Sequence, residues 1–180
     1  SDVEDLIVKS MGDSPALLAL DAPLGWPSAL GVALSSHEAG RFIEEGPAKL
    51  FHRYTDEVVC SHIGLRPLEV GANFIARTAS NALDLLEAVS RKSKLASIPL
   101  IWKPAELSGA HAIEVYPAAT MLGIGVEAAE AKGYKETGPK GQEARDYVAS
   151  VISEFIHPAS IHGDLKVDHA VDACLCVVAA

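Results

Sequence analysis

The spacing of hydrophobic positions divides the chain into helical and strand-like segments. Apolar residues at helical intervals, with charged residues between them, predict helices at residues 2–11, 36–45, 72–91, 118–131, 139–156 and 168–180. Short apolar runs that end in turn residues are typical of interior strands, and they occur at residues 16–22, 98–102 and 112–117. This order predicts a mixed α/β domain whose buried strands are separated by helices.

An acidic residue directly follows the first apolar run. The stretch ALLALDAPLGWP places Asp21 at the end of the predicted strand and just before a proline-rich turn. One interpretation is that the carboxylate ties down backbone groups of the turn. The other is that it lies at the carboxyl end of a sheet, where α/β proteins place their chemistry.

Three further acids occupy positions of interest. Glu114 lies late in the last predicted strand, and Asp168 and Asp172 are four residues apart in the final helix, which places them on one helix face. If that helix packs its start against the strand ends, the four acids converge on a site for Mg²⁺ or Mn²⁺. The helix dipole and a basic partner across the sheet would explain the same acids structurally, and the spacing alone favours this second interpretation.

Basic residues offer weaker signals. Lys135 and Arg145 lie in the stretch GYKETGPKGQEAR, where exposed amides and cations could hold a phosphate, although a solvated basic helix end is the commoner meaning. Arg53 and Asp56, in the stretch HRYTDE, form either a local Arg–Asp clamp or a substrate contact. The sequence favours neither the local clamp nor the substrate contact.

Composition narrows the class of protein. The chain has 180 residues, of which 49% are hydrophobic and 22% charged, and three cysteines without framework spacing. These values predict one globular domain with reduced thiols. Because no apolar run has membrane-spanning length and no leader pattern is present, we expect a soluble, cytoplasmic protein. The net charge of −9 argues against binding to nucleic acid through many phosphate contacts, but it leaves room for a local basic strip.

Six motifs in order carry a resemblance to a known family. They are DAPLGWP, RYTD, ANFIARTA, EVYPAAT, the GYK and GxxxR of residues 133–145, and DHAVDA. Together they resemble the DUF429 family of predicted nucleases. The resemblance covers nearly the whole chain.

The resemblance implies a ribonuclease H-like (RNase H-like) α/β fold, a mixed sheet flanked by helices, over a single domain of residues 1–180. The residues 16–22 and 112–117 would be the fourth and fifth strands of that fold. Its first three strands, one of which normally carries a metal-binding Asp, would lie upstream of Ser1, so that the domain is incomplete at its N-terminus. In that superfamily the acids at the end of the fourth strand and on the last helix hold the metals, which matches Asp21 and either Asp168 or Asp172.

The leading hypothesis is therefore a Mg²⁺- or Mn²⁺-dependent nuclease that hydrolyses phosphodiester bonds of DNA or RNA. Asp21, Asp168 and Asp172 would bind the metal, with Glu114 as a further ligand or a group that positions water. We expect Lys135 and Arg145 to steady the substrate backbone, and Arg53 and Asp56 to contact the substrate. The alternatives are a non-catalytic scaffold that binds nucleic acid or protein, and a nucleotide-handling phosphotransferase. No membrane partner is expected, and a homo-oligomer remains an option.

Overall fold

Helices dominate the computed structural model, which describes residues 2–71, 74–104, 107–157 and 164–180. Within these ranges lie nine helices and two strands, in the order α1 Val3–Met11, β1 Ala16–Leu20, α2 Ser28–Leu34, α3 Pro47–Phe51, α4 Tyr54–Ile63, α5 Ile75–Lys92, β2 Ala110–Glu114, α6 Pro117–Gly123, α7 Ala128–Ala131, α8 Pro139–Ile152 and α9 Asp168–Ala179. The prediction of a mixed α/β chain is confirmed.

The two strands are hydrogen-bonded neighbours in a small parallel sheet. The amide of Ala16 donates to the carbonyl of Gly109 at 2.9 Å, and the amide of Val115 donates to the carbonyl of Leu20 at 2.8 Å. A single bridge joins Leu100 to Ala112. The strand predicted over residues 98–102 is therefore wrong in extent, since Pro99 has no amide hydrogen with which to continue the ladder.

Two predicted helices are also wrong. The helix expected at residues 36–45 does not form, and α2 lies earlier, between Pro27 and Ser35. Gly40 in the expected segment has φ 83°, which a helix does not accept. The helix expected over residues 118–131 is divided into α6 and α7, with Gly125 at φ 87° between them.

Contacts divide the chain into two compact units. Unit one comprises Ser1–Leu17 and Ala22–Glu114, and unit two comprises Leu18–Asp21 and Val115–Ala180. The expectation of a single domain over residues 1–180 stays a prediction. Among the described residues, no helix combines the length and the apolar character needed to cross a membrane.

Unit one is organised around the longest helix. Helix α1 packs along α5, and at one end of α5 the ammonium of Lys92 lies 2.6 Å from the Asp5 carboxylate. The buried positions of α5 recur at helical spacing, as its amphipathic pattern predicts, and they include Ala79, Ala82, Leu86 and Val89. This face supplies much of the hydrophobic core of unit one.

Unit two is a helical cluster around α9. Helices α6 and α8 both pack on α9, and α7 packs on α8. Residues of these helices and of the loops between them form one hydrophobic core, made of Met121, Val126, Ala131, Tyr134, Ala144, Val148, Ile152, Val171 and Leu175. One member of this core, Tyr134, has a hydroxyl group that donates a hydrogen bond to Asp172. The hydrophobic core is therefore in contact with the candidate site.

Candidate functional site

Asp21 comes directly after β1, as the sequence predicts. The residue keeps solvent access, yet neighbouring atoms remove part of the hydration of its carboxylate. This partial burial, followed by the negative charge of Asp172, raises the pKa of Asp21 above its ordinary value of 3.8. Lys135 and His169 offset the rise only in part. Among the described residues, no side chain forms a hydrogen bond or ion pair with this carboxylate.

Helix α9 supplies the next two acids. Asp168 is its first residue and is half-buried, whereas Asp172, one turn later, has only 6% of its surface exposed. An acid in the first turn is favoured by the helix dipole, which accounts for Asp168. The helix dipole does not explain why Asp172 is buried. A buried carboxylate destabilises the fold unless other groups compensate for its lost hydration.

Tyr134 and Lys135 provide that compensation. The hydroxyl of Tyr134 donates to Oδ1 of Asp172 at 2.7 Å, and Nζ of Lys135 lies 2.9 Å from Oδ2. Each oxygen of the buried carboxylate therefore has one partner. Tyr134 was missed by the sequence analysis, although it lies in the GYK motif beside the candidate Lys135.

Burial and the nearby acids together shift the pKa values of Tyr134, Lys135 and Cys176. Burial first, then the hydrogen bond to Asp172 and the charges of Asp21 and Asp168, raise the pKa of Tyr134 far above its ordinary value. Burial lowers the pKa of Lys135, but its hydrogen bond to Asp172 and the surrounding acids outweigh burial, so that the net shift is upward. Burial, with the charges of Asp21 and Asp172, raises the pKa of the Cys176 thiol to about 12.

A tight loop carries Tyr134 and Lys135, and Arg145 on α8 holds that loop. Nη1 of Arg145 donates to the carbonyl of Tyr134 at 2.6 Å and to the carbonyl of Glu136 at 2.9 Å. Gly141 allows helix α8 to approach the loop closely, because a Cβ at position 141 would lie 1.9 Å from the Glu136 carbonyl oxygen. Arg145 is itself 8% exposed, so its position in the structure is that of a support beneath the loop.

A second polar network lies in unit one. The Arg53 guanidinium bonds to both oxygens of Asp56, through Nε at 3.1 Å and Nη2 at 2.6 Å, and its Nη1 bonds to Glu114 at 2.6 Å. The Glu114 carboxylate also accepts the amide of Leu24 at 2.9 Å. The local clamp considered for the HRYTDE stretch is thus present. Substrate contacts by Arg53 and Asp56 stay a prediction.

The structure therefore places the predicted site residues in two groups. Unit two holds the metal candidates and the two basic candidates, namely Asp21, Asp168, Asp172, Lys135 and Arg145. Unit one holds Arg53, Asp56 and Glu114. Arg53 is a partner for Glu114 that the sequence analysis could not name, because 61 positions separate the two residues.

Three acids of unit two, Asp21, Asp168 and Asp172, form the carboxylate cluster. No group of three or more His, Cys, Asp or Glu side chains is arranged to enclose a metal within the described ranges. Mg²⁺, however, commonly keeps several waters and uses only one or two carboxylates. The oxygen donors of Asp21 and Asp172 suit such an ion, and the Lys135 ammonium already serves as a cation for Asp172.

Comparison with known proteins identifies one family. The family model described as "Protein of unknown function (DUF429)" matches residues 2–180. No curated protein and no solved structure matches the chain.

Proposed function

Because the chain belongs to the DUF429 family, a family of unknown function, we propose its activity from the carboxylate cluster: hydrolysis of phosphodiester bonds in nucleic acid, DNA or RNA, dependent on Mg²⁺ or Mn²⁺. We also propose that the mixed α/β architecture is of the RNase H-like type. The observation that supports the activity best is the geometry of Asp172, a buried carboxylate 2.9 Å from the Lys135 ammonium, and the charge of Asp172 adds to the burial that raises the pKa of Asp21. Two nearby carboxylates with too little positive charge are stabilised by a divalent cation.

Asp21 and Asp172 would hold the cation, and the half-buried Asp168 would add negative charge or an oxygen ligand. A bound divalent ion supplies Lewis-acid stabilisation of a phosphodiester and a water of lowered pKa. Tyr134 orients Asp172 by donating to its Oδ1, and Oδ2 is the oxygen that contacts the Lys135 ammonium. Arg145 supports the loop that presents Lys135, and the Lys135 ammonium is exposed enough to meet a substrate phosphate.

For Glu114, whose observed partners are Arg53 and the Leu24 amide, a role as a further ligand or as a group that positions water stays a prediction. Arg53 holds the Glu114 carboxylate in position, and Asp56 in turn holds the Arg53 guanidinium. A guanidinium that bonds to two carboxylates holds both in fixed geometry.

A second candidate function has one observation in its favour. Both oxygens of Asp172 already have partners in Tyr134 and Lys135, which is what a purely structural polar network requires. On that account the chain is a non-catalytic scaffold that binds nucleic acid or protein, and the cluster stabilises unit two.

A cleavage assay separates these functions. Fluorescently labelled single-stranded and duplex DNA and RNA are incubated with the protein and Mg²⁺ or Mn²⁺, with and without EDTA. We expect EDTA-sensitive cleavage that falls by about a hundredfold or more in Asp172→Asn, while circular dichroism shows an intact fold. Asp146→Asn, at an exposed acid that accepts a hydrogen bond from Gln142, is the matched control. Undiminished turnover by Asp172→Asn would contradict the proposal, and metal-independent binding without cleavage would favour the scaffold.

A further inference from the structure

We propose that Lys135 is a built-in counter-cation of Asp172, which competes with the divalent ion and is released when that ion binds. The released ammonium is then available to a phosphate of the substrate. This inference rests on the proposed function and deepens it, because it gives one side chain a role before and after metal binding.

The two oxygens of Asp172 differ in what they can offer a cation. Oδ1 accepts the hydroxyl of Tyr134, a residue anchored in the hydrophobic core of unit two. Oδ2 contacts the Lys135 ammonium at 2.9 Å. A cation that coordinates Oδ2 comes close to the Lys135 ammonium, and the two positive charges repel each other there.

Lys135 can leave more easily than Tyr134 can. Its side chain is 55% exposed, whereas that of Asp172 is 8% exposed. Lysine carries a compact, well-hydrated charge on a flexible stem, so water can replace the lost contact. Tyr134 is 8% exposed and cannot turn away without opening the core. The cluster thus has one fixed partner and one exchangeable partner.

The surrounding charges favour the exchange. In addition to Asp172, the charges of Asp21 and Asp168 act on Lys135, so the ammonium lies among several carboxylates. A divalent ion brings twice the positive charge of the ammonium to the same acids. Replacement of Lys135 by the ion therefore improves the charge balance of the cluster.

Calorimetric titration of Mn²⁺ into wild-type protein, Lys135→Met and Lys140→Met tests the exchange. Lys140 is exposed at the start of α8, so both variants lose one positive charge, but only Lys135→Met frees Oδ2 of Asp172. We expect Lys135→Met to bind Mn²⁺ about 5- to 10-fold more tightly than wild type, since the competing contact no longer reduces the binding-competent fraction. Lys140→Met should match wild type. Thermal melts without metal confirm that each variant is folded.

Three results would overturn the inference. Equal or weaker Mn²⁺ binding by Lys135→Met would show that Lys135 does not compete, and the proposed function would stand. An equal gain in Lys140→Met would show a general effect of net charge. Absence of Mn²⁺ binding by all three proteins would overturn both the exchange and the metal dependence of the proposed function.

Discussion

The two polar networks of the molecule differ in how completely their charges are compensated. In unit one, a single guanidinium bonds to both Asp56 and Glu114, and Glu114 accepts a backbone amide as well. In unit two, Asp172 has two partners, but among the described residues the carboxylates of Asp21 and Asp168 have no hydrogen bond or ion pair. In the first network every carboxylate has a partner within the protein. In the second network the negative charges exceed the positive charges that face them. We infer that the first is structural and the second functional.

The largest effect is expected from removing the central charge of the unit-one network. Arg53→Met leaves Asp56, whose side chain is 3% exposed, without its ionic partner. Removal of one partner of a buried ion pair costs about 3 to 5 kcal/mol, and we expect a loss of that size in the free energy of unfolding, measured with urea at neutral pH.

Lys49→Met is the control for this substitution. The ion pair of Lys49 with Glu45 is exposed, with 73% and 43% of the two side chains accessible, so its loss should cost at most about 1 kcal/mol. If Arg53→Met costs no more than Lys49→Met, the unit-one network is not a structural clamp.

The next largest effect is expected in the support of the Lys135 loop. Arg145→Met removes two hydrogen bonds from a buried cation to the carbonyls of Tyr134 and Glu136, and we expect a loss of about 2 to 3 kcal/mol in urea unfolding. Arg91→Met, at an exposed pair with Glu87, should change stability little. A stable Arg145→Met variant would contradict the assignment of Arg145 as the loop support.

A smaller effect tests the fixed partner of Asp172. Tyr134→Phe removes the hydroxyl at 2.7 Å from Oδ1 and keeps the aromatic ring in the core. Hydrogen bonds to charged groups contribute about 1.5 kcal/mol or somewhat more, so urea unfolding should show a loss near that value. A variant as stable as wild type would mean that Asp172 finds another partner.

The smallest expected effect on the free energy of unfolding is a gain, whereas the substitutions above are expected to lower it. The pKa of Asp21 is raised in the folded protein above its ordinary value of 3.8, so the folded state holds this proton more tightly than the unfolded state does. The contribution of Asp21 to stability is therefore complete below pH 3.8 and is lost as the pH rises through the raised pKa. Above that range, the ionised Asp21 destabilises the metal-free fold.

Asp21→Asn should consequently stabilise the metal-free protein at neutral pH by less than about 1 kcal/mol, since Asp21 keeps solvent access. The difference between the two proteins should shrink as the pH falls toward 3.8. Urea unfolding of both proteins across this pH range measures the stability difference and its change with pH. A variant that is less stable than wild type at neutral pH would assign Asp21 to the turn-capping role that the sequence left open.

Several elements could be predicted because local signals determine them. Helix α1 begins one residue from its predicted start, and α9 begins at Asp168 as expected. Asp21 follows β1 because an apolar run and a proline-rich turn define that boundary. By contrast, α2 was missed, since its sequence SALGVAL lacks the polar positions that mark an amphipathic helix.

The candidate site was only partly predictable for a different reason. Carboxylates at strand ends and on one helix face are visible in the sequence, but their partners lie far along the chain. Tyr134 reaches Asp172 across 38 positions, and Arg53 reaches Glu114 across 61. No local pattern specifies such pairs, so the sequence could suggest a basic partner for Glu114 but could not identify it as Arg53.

The measurement that tests the central claim most directly is a calorimetric titration of Mg²⁺ into wild-type protein and Asp21→Asn, with Asp146→Asn as a control acid. The account predicts saturable binding by wild type and Asp146→Asn, and binding at least about tenfold weaker in Asp21→Asn, because one carboxylate ligand is lost. Equal binding by all three proteins, or no binding by wild type, would contradict the claim that the carboxylate cluster is a divalent-cation site.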